Sequence, residues 1–341
     1  MSTLPREQKT ILVTGGAGFI GSHLCERLLK EGHRVICLDD ISTGSIQNIH
    51  ELLSSPDFQF IKHDISEPID LGALPELSAF KIPFKGIQEI YHLACPSSIS
   101  QFDKYRQQIL RANAFGTINV LEIAKMHGAR TVFATSSVVY GPRNNEHPKV
   151  SEAATGLIDH LSLRACYDEG KRFSETICAT YTQMHKMDIR IARLFRTYGP
   201  RMPILDGHLI PDFILSALDN KPMTLFEGGK LQSGFLYVSD AVDGLIRLMR
   251  ASEVMGAVNL GHDQEWSLQA VAELVKQLTG STSELVNGPD LLFLSELPMP
   301  HLQKAKELLG WLPLVRLEDG LRKTIEYLKA NRYLLTIGAS L

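Results

Sequence analysis

The chain has 341 residues, 44% hydrophobic and 21% charged, the composition of a globular protein with one or two domains. Its 35 basic and 38 acidic residues leave a net charge of −3, which gives no electrostatic footprint for nucleic acid or an anionic membrane surface. No apolar run approaches the roughly 20 residues of a membrane span, and the polar stretch Met1 to Lys9 lacks the apolar core of a signal peptide.

In chain order, Thr10-Ile11-Leu12-Val13 reads as a buried strand feeding the turn Thr14-Gly15-Gly16-Ala17-Gly18-Phe19-Ile20-Gly21, and Ser22 to Lys30 follows with a helical pattern. Of the glycines at 15, 18 and 21, one suits the tight turn. One allows close approach to a pyrophosphate, and one allows helix and strand to pack closely. Amides at the helix start then face the phosphates. Taken alone, the same pattern also describes a ligand-free turn. His33 to Leu38 predicts a second strand, ending in Asp39-Asp40. An acid about 20 residues past the glycines is placed to accept hydrogen bonds from the adenosine ribose, and its charge favours NAD over NADP. The competing reading makes Asp39 a cap for Ile41-Ser42-Thr43-Gly44.

A third strand, Phe58 to Lys62, ends in His63-Asp64-Ile65, where a carboxylate can reach the adenine amino group. Ile87 to Leu93 predicts a fourth, followed by the small-residue loop Ala94-Cys95-Pro96-Ser97-Ser98 at the end where parallel sheets bind ligands. A long helix is expected from Lys104 to His127, and a fifth strand from Arg130 to Ala134. Strands and helices alternate throughout, which predicts an α/β fold with a Rossmann-type doubly wound parallel sheet.

The fifth strand leads into Thr135-Ser136-Ser137-Val138-Val139-Tyr140-Gly141, and Tyr167-Asp168-Glu169-Gly170-Lys171 opens a long helix reaching Lys186. Residues four apart share a helix face. An ammonium there is expected to lower the tyrosine pKa, with a serine hydroxyl bridging tyrosine and substrate while hydride passes to a nicotinamide. Cys166, beside this pair, is expected to be a small filler. The five cysteines, Cys25, Cys37, Cys95, Cys166 and Cys178, have no C-x-x-C spacing. No metal site or disulfide framework is expected, and a reducing cytoplasm fits.

Together these residues resemble the extended short-chain dehydrogenase/reductase family, the nucleotide-sugar epimerases, dehydratases and decarboxylases. Within it the likeness is to the UDP-glucuronate decarboxylase (UDP-xylose synthase) group. It is carried by Tyr91-His92-Leu93-Ala94, Arg164-Ala165-Cys166-Tyr167-Asp168-Glu169-Gly170-Lys171-Arg172, Tyr198-Gly199-Pro200-Arg201-Met202 with Asp206-Gly207, and Tyr237-Val238-Ser239-Asp240. Val258-Asn259-Leu260-Gly261 and Leu309-Gly310-Trp311 extend it. The resemblance implies NAD as cofactor, a nucleotide-sugar substrate, Tyr167 as base, Lys171 as its partner and Ser136 as relay. Cofactor contacts would come from Gly15, Gly18, Phe19, Ile20, Gly21, Asp39, Asp40, Ser42, Thr43, Gly44, Asp64, Ile65, Leu93, Ala94, Arg111, Tyr167, Lys171 and Thr197. Substrate contacts would come from Ser137, Arg164, Arg196 and Arg201.

Four positions depart from the decarboxylase pattern. Val138 stands where that group has a glutamate, Pro298 where it has an arginine, Ser233 in place of a diphosphate-binding arginine, and Arg196 in place of an asparagine. Three readings stay open: a 4-epimerase-type reaction at C4, a UDP-glucuronate decarboxylase with rearranged groups, and a non-catalytic NAD-binding module.

Asp188 to Leu194 predicts strand six. Helices are expected over 208–218, 241–249 with Asp240 as its cap, 268–278 and 302–309. The expected division is an NAD-binding part over 9–195 rejoined by 235–262, a smaller α/β substrate-binding part over 196–234 and 263–330, and a tail over 331–341. The resemblance further implies a homodimer through the helices at 104–127 and 167–186, with Ile177, Cys178 and Tyr181 on its face.

Overall fold

The structure, a computed structural model, describes residues 8–339 apart from 145, 147, 254, 255 and 289–295. Its centre is a seven-stranded parallel sheet of β1 (Thr10–Thr14), β2 (Arg34–Asp39), β3 (Phe58–Lys62), β4 (Glu89–His92), β5 (Arg130–Ser136), β6 (Ile189–Leu194) and β7 (Ala257–Leu260), in the order β7-β6-β5-β4-β1-β2-β3. β1 is buried along its whole length, as a strand covered on both faces must be, hence its unbroken apolar run. The order reverses between β1 and β4. Connections leave these neighbours in opposite directions, opening a crevice at their C-terminal ends.

The crossovers are α1 (Phe19–Lys30), then α2 (Phe102–Arg111), which runs through a π-helical turn at Ala112–Gly116 into α3 (Thr117–His127), and α4 (Ala165–His185). Gly170 of α4 lies so close to Asn113 that an added Cβ would stand 3.0 Å from its amide nitrogen. Ser174 then donates a hydrogen bond to the Asn113 carbonyl at 2.7 Å. Ile177 and Cys178, expected on a dimer face, are instead buried with Leu121, Phe133 and Ile191, because this side of α4 is the one that covers β5 and β6. Exposed apolar residues of these helices include Leu110, Phe115, Met126, Phe173 and Met184.

The later helices are α5 (Leu209–Leu218), α6 (Val238–Arg250), α7 (Leu268–Thr279), α8 (Gln303–Leu309) and α9 (Leu317–Ala339). Tyr198, Phe213, Ile214, Val271 and Leu321 form a second core, separate from the one under the sheet around Val13, Leu245 and Trp311. Among the described residues the chain passes repeatedly between these cores, for example from Leu194 to Tyr198, Val238 to Ala241, Leu260 to Leu268 and Trp311 to Leu317. Asp240 is not the cap of α6. It lies inside the first turn, and its carboxylate accepts the Leu314 and Val315 N–H groups, each at 2.9 Å. A carboxylate one turn further in is better used pinning the incoming chain than duplicating a cap. Among the described residues, no helix is long and apolar enough to cross a membrane, and no group of His, Cys, Asp or Glu is arranged to hold a metal.

Candidate functional site

A long cavity follows the C-terminal ends of the sheet from Asp64 to Thr197. Its floor is the glycine turn. Gly15 has φ +71°, and a Cβ there would stand 2.8 Å from the Ala94 nitrogen, while one on Gly21 would collide with the Gly15 carbonyl. These two glycines therefore let the turn pack directly on the chain after β4 and on the start of α1, and both line the cavity. Asp39 ties the turn to the loop after β2: its Oδ2 accepts the Ala17 N–H at 3.0 Å and its Oδ1 the Ile41 N–H at 2.9 Å. Asp39 also accepts a hydrogen bond from the Gly18 backbone, and its side chain lines the cavity. Burial pushes its carboxyl pKa up, against the pull of these N–H groups. Asp40 and Asp64 stand beside it, each accepting a backbone N–H two residues on, at 2.8 Å. Three acids at this end suit ribose hydroxyls and repel a 2′-phosphate.

Gly15, Gly18, Phe19, Ile20, Gly21, Asp39, Asp40, Ser42, Thr43, Gly44, Asp64, Ile65, Leu93, Ala94, Ser136, Tyr167, Lys171 and Thr197 all line this cavity. Arg111 does not. Its guanidinium turns away to pair with Glu67 at 2.5 Å.

A second cavity shares Ser136, Tyr167 and Thr197 with the first and adds Ser137, Val138, Arg164, Arg196, Phe235 and Leu297. Of the expected substrate contacts, Ser137, Arg164 and Arg196 are here. Arg201 is outside, held by Glu26 of α1 at 2.6 Å. Ser136 occupies the end of β5, where its Oγ caps the turn Ser137–Tyr140 by accepting the Val138 N–H. It also shares a hydrogen bond with the Tyr167 hydroxyl.

Lys171 is buried one helical turn beyond Tyr167, with its ammonium 5.8 Å from the tyrosine ring centre. The expected fall in the tyrosine pKa does not appear in the protein alone. Burial pushes the phenol well up and Cys95 adds to this, while Arg164 and the Ser136 hydrogen bond pull the other way. Burial is the larger effect, and Lys171 donates to the Ala134 carbonyl at 3.4 Å and faces the Phe133 ring at 5.5 Å. Arg164, whose Nε meets Asp168 at 2.9 Å, lies 5.9 Å from the Tyr167 ring. Burial likewise holds Cys166 as a neutral thiol.

Asp206 and His208 also line the cofactor cavity, and sequence reasoning did not single out His208. Asp206 is fixed by the Ser98 and Ser100 hydroxyls, the latter at 2.6 Å, and it meets the His208 ring at 3.3 Å. The small-residue loop after β4 and the Asp206-Gly207 pair were the available signals. Which residue closes the group depends on how α5 begins.

A cavity of this construction, with Tyr167 and Lys171 lining it beside the glycine turn, is that of an enzyme of the short-chain dehydrogenase/reductase type. Residues 11–261 match the NAD dependent epimerase/dehydratase family, and the chain belongs to it. It is 41% identical over 330 residues to UDP-glucuronic acid decarboxylase 1 of Xenopus tropicalis, covering 95% of this chain and 73% of the relative. Among solved structures, an epimerase from Methanothermobacter thermautotrophicus superimposes with a TM-score of 0.84 at 27% identity, covering 97% of this chain and 95% of that one. UDP-glucuronic acid 4-epimerase from Bacillus cereus, in complex with UDP-glucuronic acid and NAD, does so with 0.81 at 28%, covering 94% and 99%. NAD is the cofactor, and the cradle at Gly15 and Gly21 and the acids at 39, 40 and 64 fit it.

Proposed function

We propose that the chain interconverts the C4 epimers of a nucleotide-linked uronic acid resembling UDP-glucuronate, through transient oxidation at C4. The observation that carries this reading is the wall of the second cavity: none of its described residues is acidic, and Val138 is buried in it. Loss of carbon dioxide from a 4-keto uronate leaves C5 needing a proton, and this wall holds no carboxylic acid to supply one. Epimerisation needs only the O4 proton to be taken and returned.

When bound, NAD supplies a hydride acceptor and donor and, when oxidised, a positive charge near the phenol. The glycine turn would hold its pyrophosphate, Asp39, Asp40, Ser42, Thr43, Gly44, Asp64 and Ile65 its adenosine half, and Leu93, Ala94 and Thr197 the other half. Ser136 orients the sugar 4-hydroxyl, and Tyr167 takes its proton and gives it back. Lys171, fixed on Ala134, keeps a positive charge near the phenol. Ser137, Arg164 and Arg196 face the sugar.

Decarboxylation is the second reading, favoured by the 41% identity to a UDP-glucuronic acid decarboxylase. Incubation with UDP-glucuronate and NAD, followed by carbon NMR, separates the two. A six-carbon C4 epimer is expected, and a pentose with carbon dioxide establishes the alternative. No turnover of UDP-, dTDP- or GDP-sugars by NAD-loaded protein removes both. A homodimer formed through α2–α4 belongs to the same proposal, supported by exposed Leu110, Phe115 and Phe173. So does a cytoplasmic location, supported by five free cysteines.

A further inference from the structure

Arg196 has no acidic partner among the described residues, although it is enclosed enough that burial lowers its pKa to about 10, with Arg164 adding to the effect. Its guanidinium lies 6.0 Å from the Phe235 ring centre, and the cavity it lines has apolar walls at Val138, Phe102 and Leu297. At neutral pH the side chain is still a cation. The nearby Arg164 is engaged by Asp168, so the uncompensated charge belongs to Arg196. A desolvated guanidinium without a counter-ion is costly to the protein on its own, and a carboxylate or phosphate presented by the ligand relieves that cost in bidentate geometry.

Strand register decides which anion. Ser136 at the end of β5 is paired with Leu194 at the end of β6. Arg196 follows two residues later and lines the same cavity as Ser136 and Tyr167. With Ser136 and Tyr167 at the reacting carbon, as proposed above, a charge sharing their cavity lies on the sugar side of the site. In a nucleotide-linked uronic acid the carboxylate hangs on C5, next to the reacting C4, whereas the diphosphate is attached across the ring.

We propose that Arg196 is the receptor for this carboxylate and makes the site selective for nucleotide-linked uronic acids over neutral nucleotide-linked hexoses. The inference rests on the nucleotide-sugar reading above. Pairing also keeps the negative charge on the carboxylate, which opposes its departure as carbon dioxide from the 4-keto sugar. Arg196 thus recognises the substrate and protects it.

The test is calorimetric titration of NAD-loaded protein, in a Tyr167→Phe background that prevents turnover, with UDP-glucuronate, UDP-glucose and UDP. The parent protein is expected to prefer UDP-glucuronate over UDP-glucose. Arg196→Gln is expected to weaken UDP-glucuronate by about 10- to 100-fold and to leave UDP-glucose and UDP within about threefold. Arg196→Lys, which keeps the charge without the fork, is expected to fall between, and reads the same contrast if the glutamine variant does not fold. Equal weakening of all three ligands overturns the inference in favour of a diphosphate contact, and no weakening overturns it outright. A parent protein that binds both sugars without preference overturns it alone. One that retains NAD but binds no UDP ligand overturns the nucleotide-sugar reading and this inference with it.

Discussion

Lys171 stands one helical turn from Tyr167, 5.8 Å from its ring centre, yet gives its hydrogen bond to the Ala134 carbonyl. The ammonium is thereby locked to the sheet, and the groups that pull the phenol pKa down in the protein alone are Arg164 and Ser136, against a larger effect of burial.

A positive neighbour favours phenolate, so removing one raises the phenol pKa and reduces the basic form at any given pH. Activity is expected to rise with pH along an acid limb. Arg164→Met should move that limb upward by about half a pH unit or more. Tyr167→Phe should abolish turnover with NAD still bound. A pH–rate profile unmoved in the Arg164 variant assigns the limb to another group.

Gly21→Ala places a methyl against the Gly15 carbonyl, a backbone atom with no room to retreat. The glycine turn must then open. A loss of about 1–3 kcal/mol in stability is expected, together with loss of NAD retention. Denaturant melts and cofactor content after gel filtration measure both. A variant that keeps its NAD contradicts the tight packing of α1 on the turn.

Asp212, in the first turn of α5, has a buried Oδ1 with no hydrogen-bond partner, and burial raises its pKa to about 6. Because the folded value lies above the unfolded one, protonation favours folding. The contribution is full below about pH 4 and is lost as pH rises through about 6, a change of order 2 kcal/mol. Asp212→Asn should flatten this loss and melt higher than the wild type at pH 7.5. Parallel melting curves between pH 5 and 8 would remove Asp212 as the cause.

Phe173 is half exposed on α4, as are Phe115 and Leu110 on the segment from α2 to α3. If two copies meet on this face, Phe173→Glu buries an unpaired charge in the contact and should convert a dimer to a monomer in light scattering. A wild-type mass of one chain refutes the dimer directly.

Much of the cofactor end was legible in the sequence because its contacts are local. The glycine turn, the acid closing the next strand and the Tyr167–Lys171 spacing are properties of neighbours along the chain. Arg111 and Arg201 were not legible for the opposite reason. Their guanidiniums are claimed by Glu67 and Glu26, far away in sequence, and a motif says nothing about such competition. The pKa direction of Tyr167 failed likewise, since spacing reports the nearby charge but not the burial that outweighs it. Ile177 and Cys178 have apolar chemistry that fits a subunit contact or an interior equally well, and only the position of β5 and β6 decides.

The repeated passage of the chain between its two cores has a mechanical consequence. Among the described residues several covalent links join the two cores, one of them the first turn of α6 from Val238 to Ala241, and they leave no single pivot about which the cores can swing. Opening the long cavity widely would require several connections to flex together. That resistance suits the reaction proposed above, in which NAD would be restored at the end of each turnover.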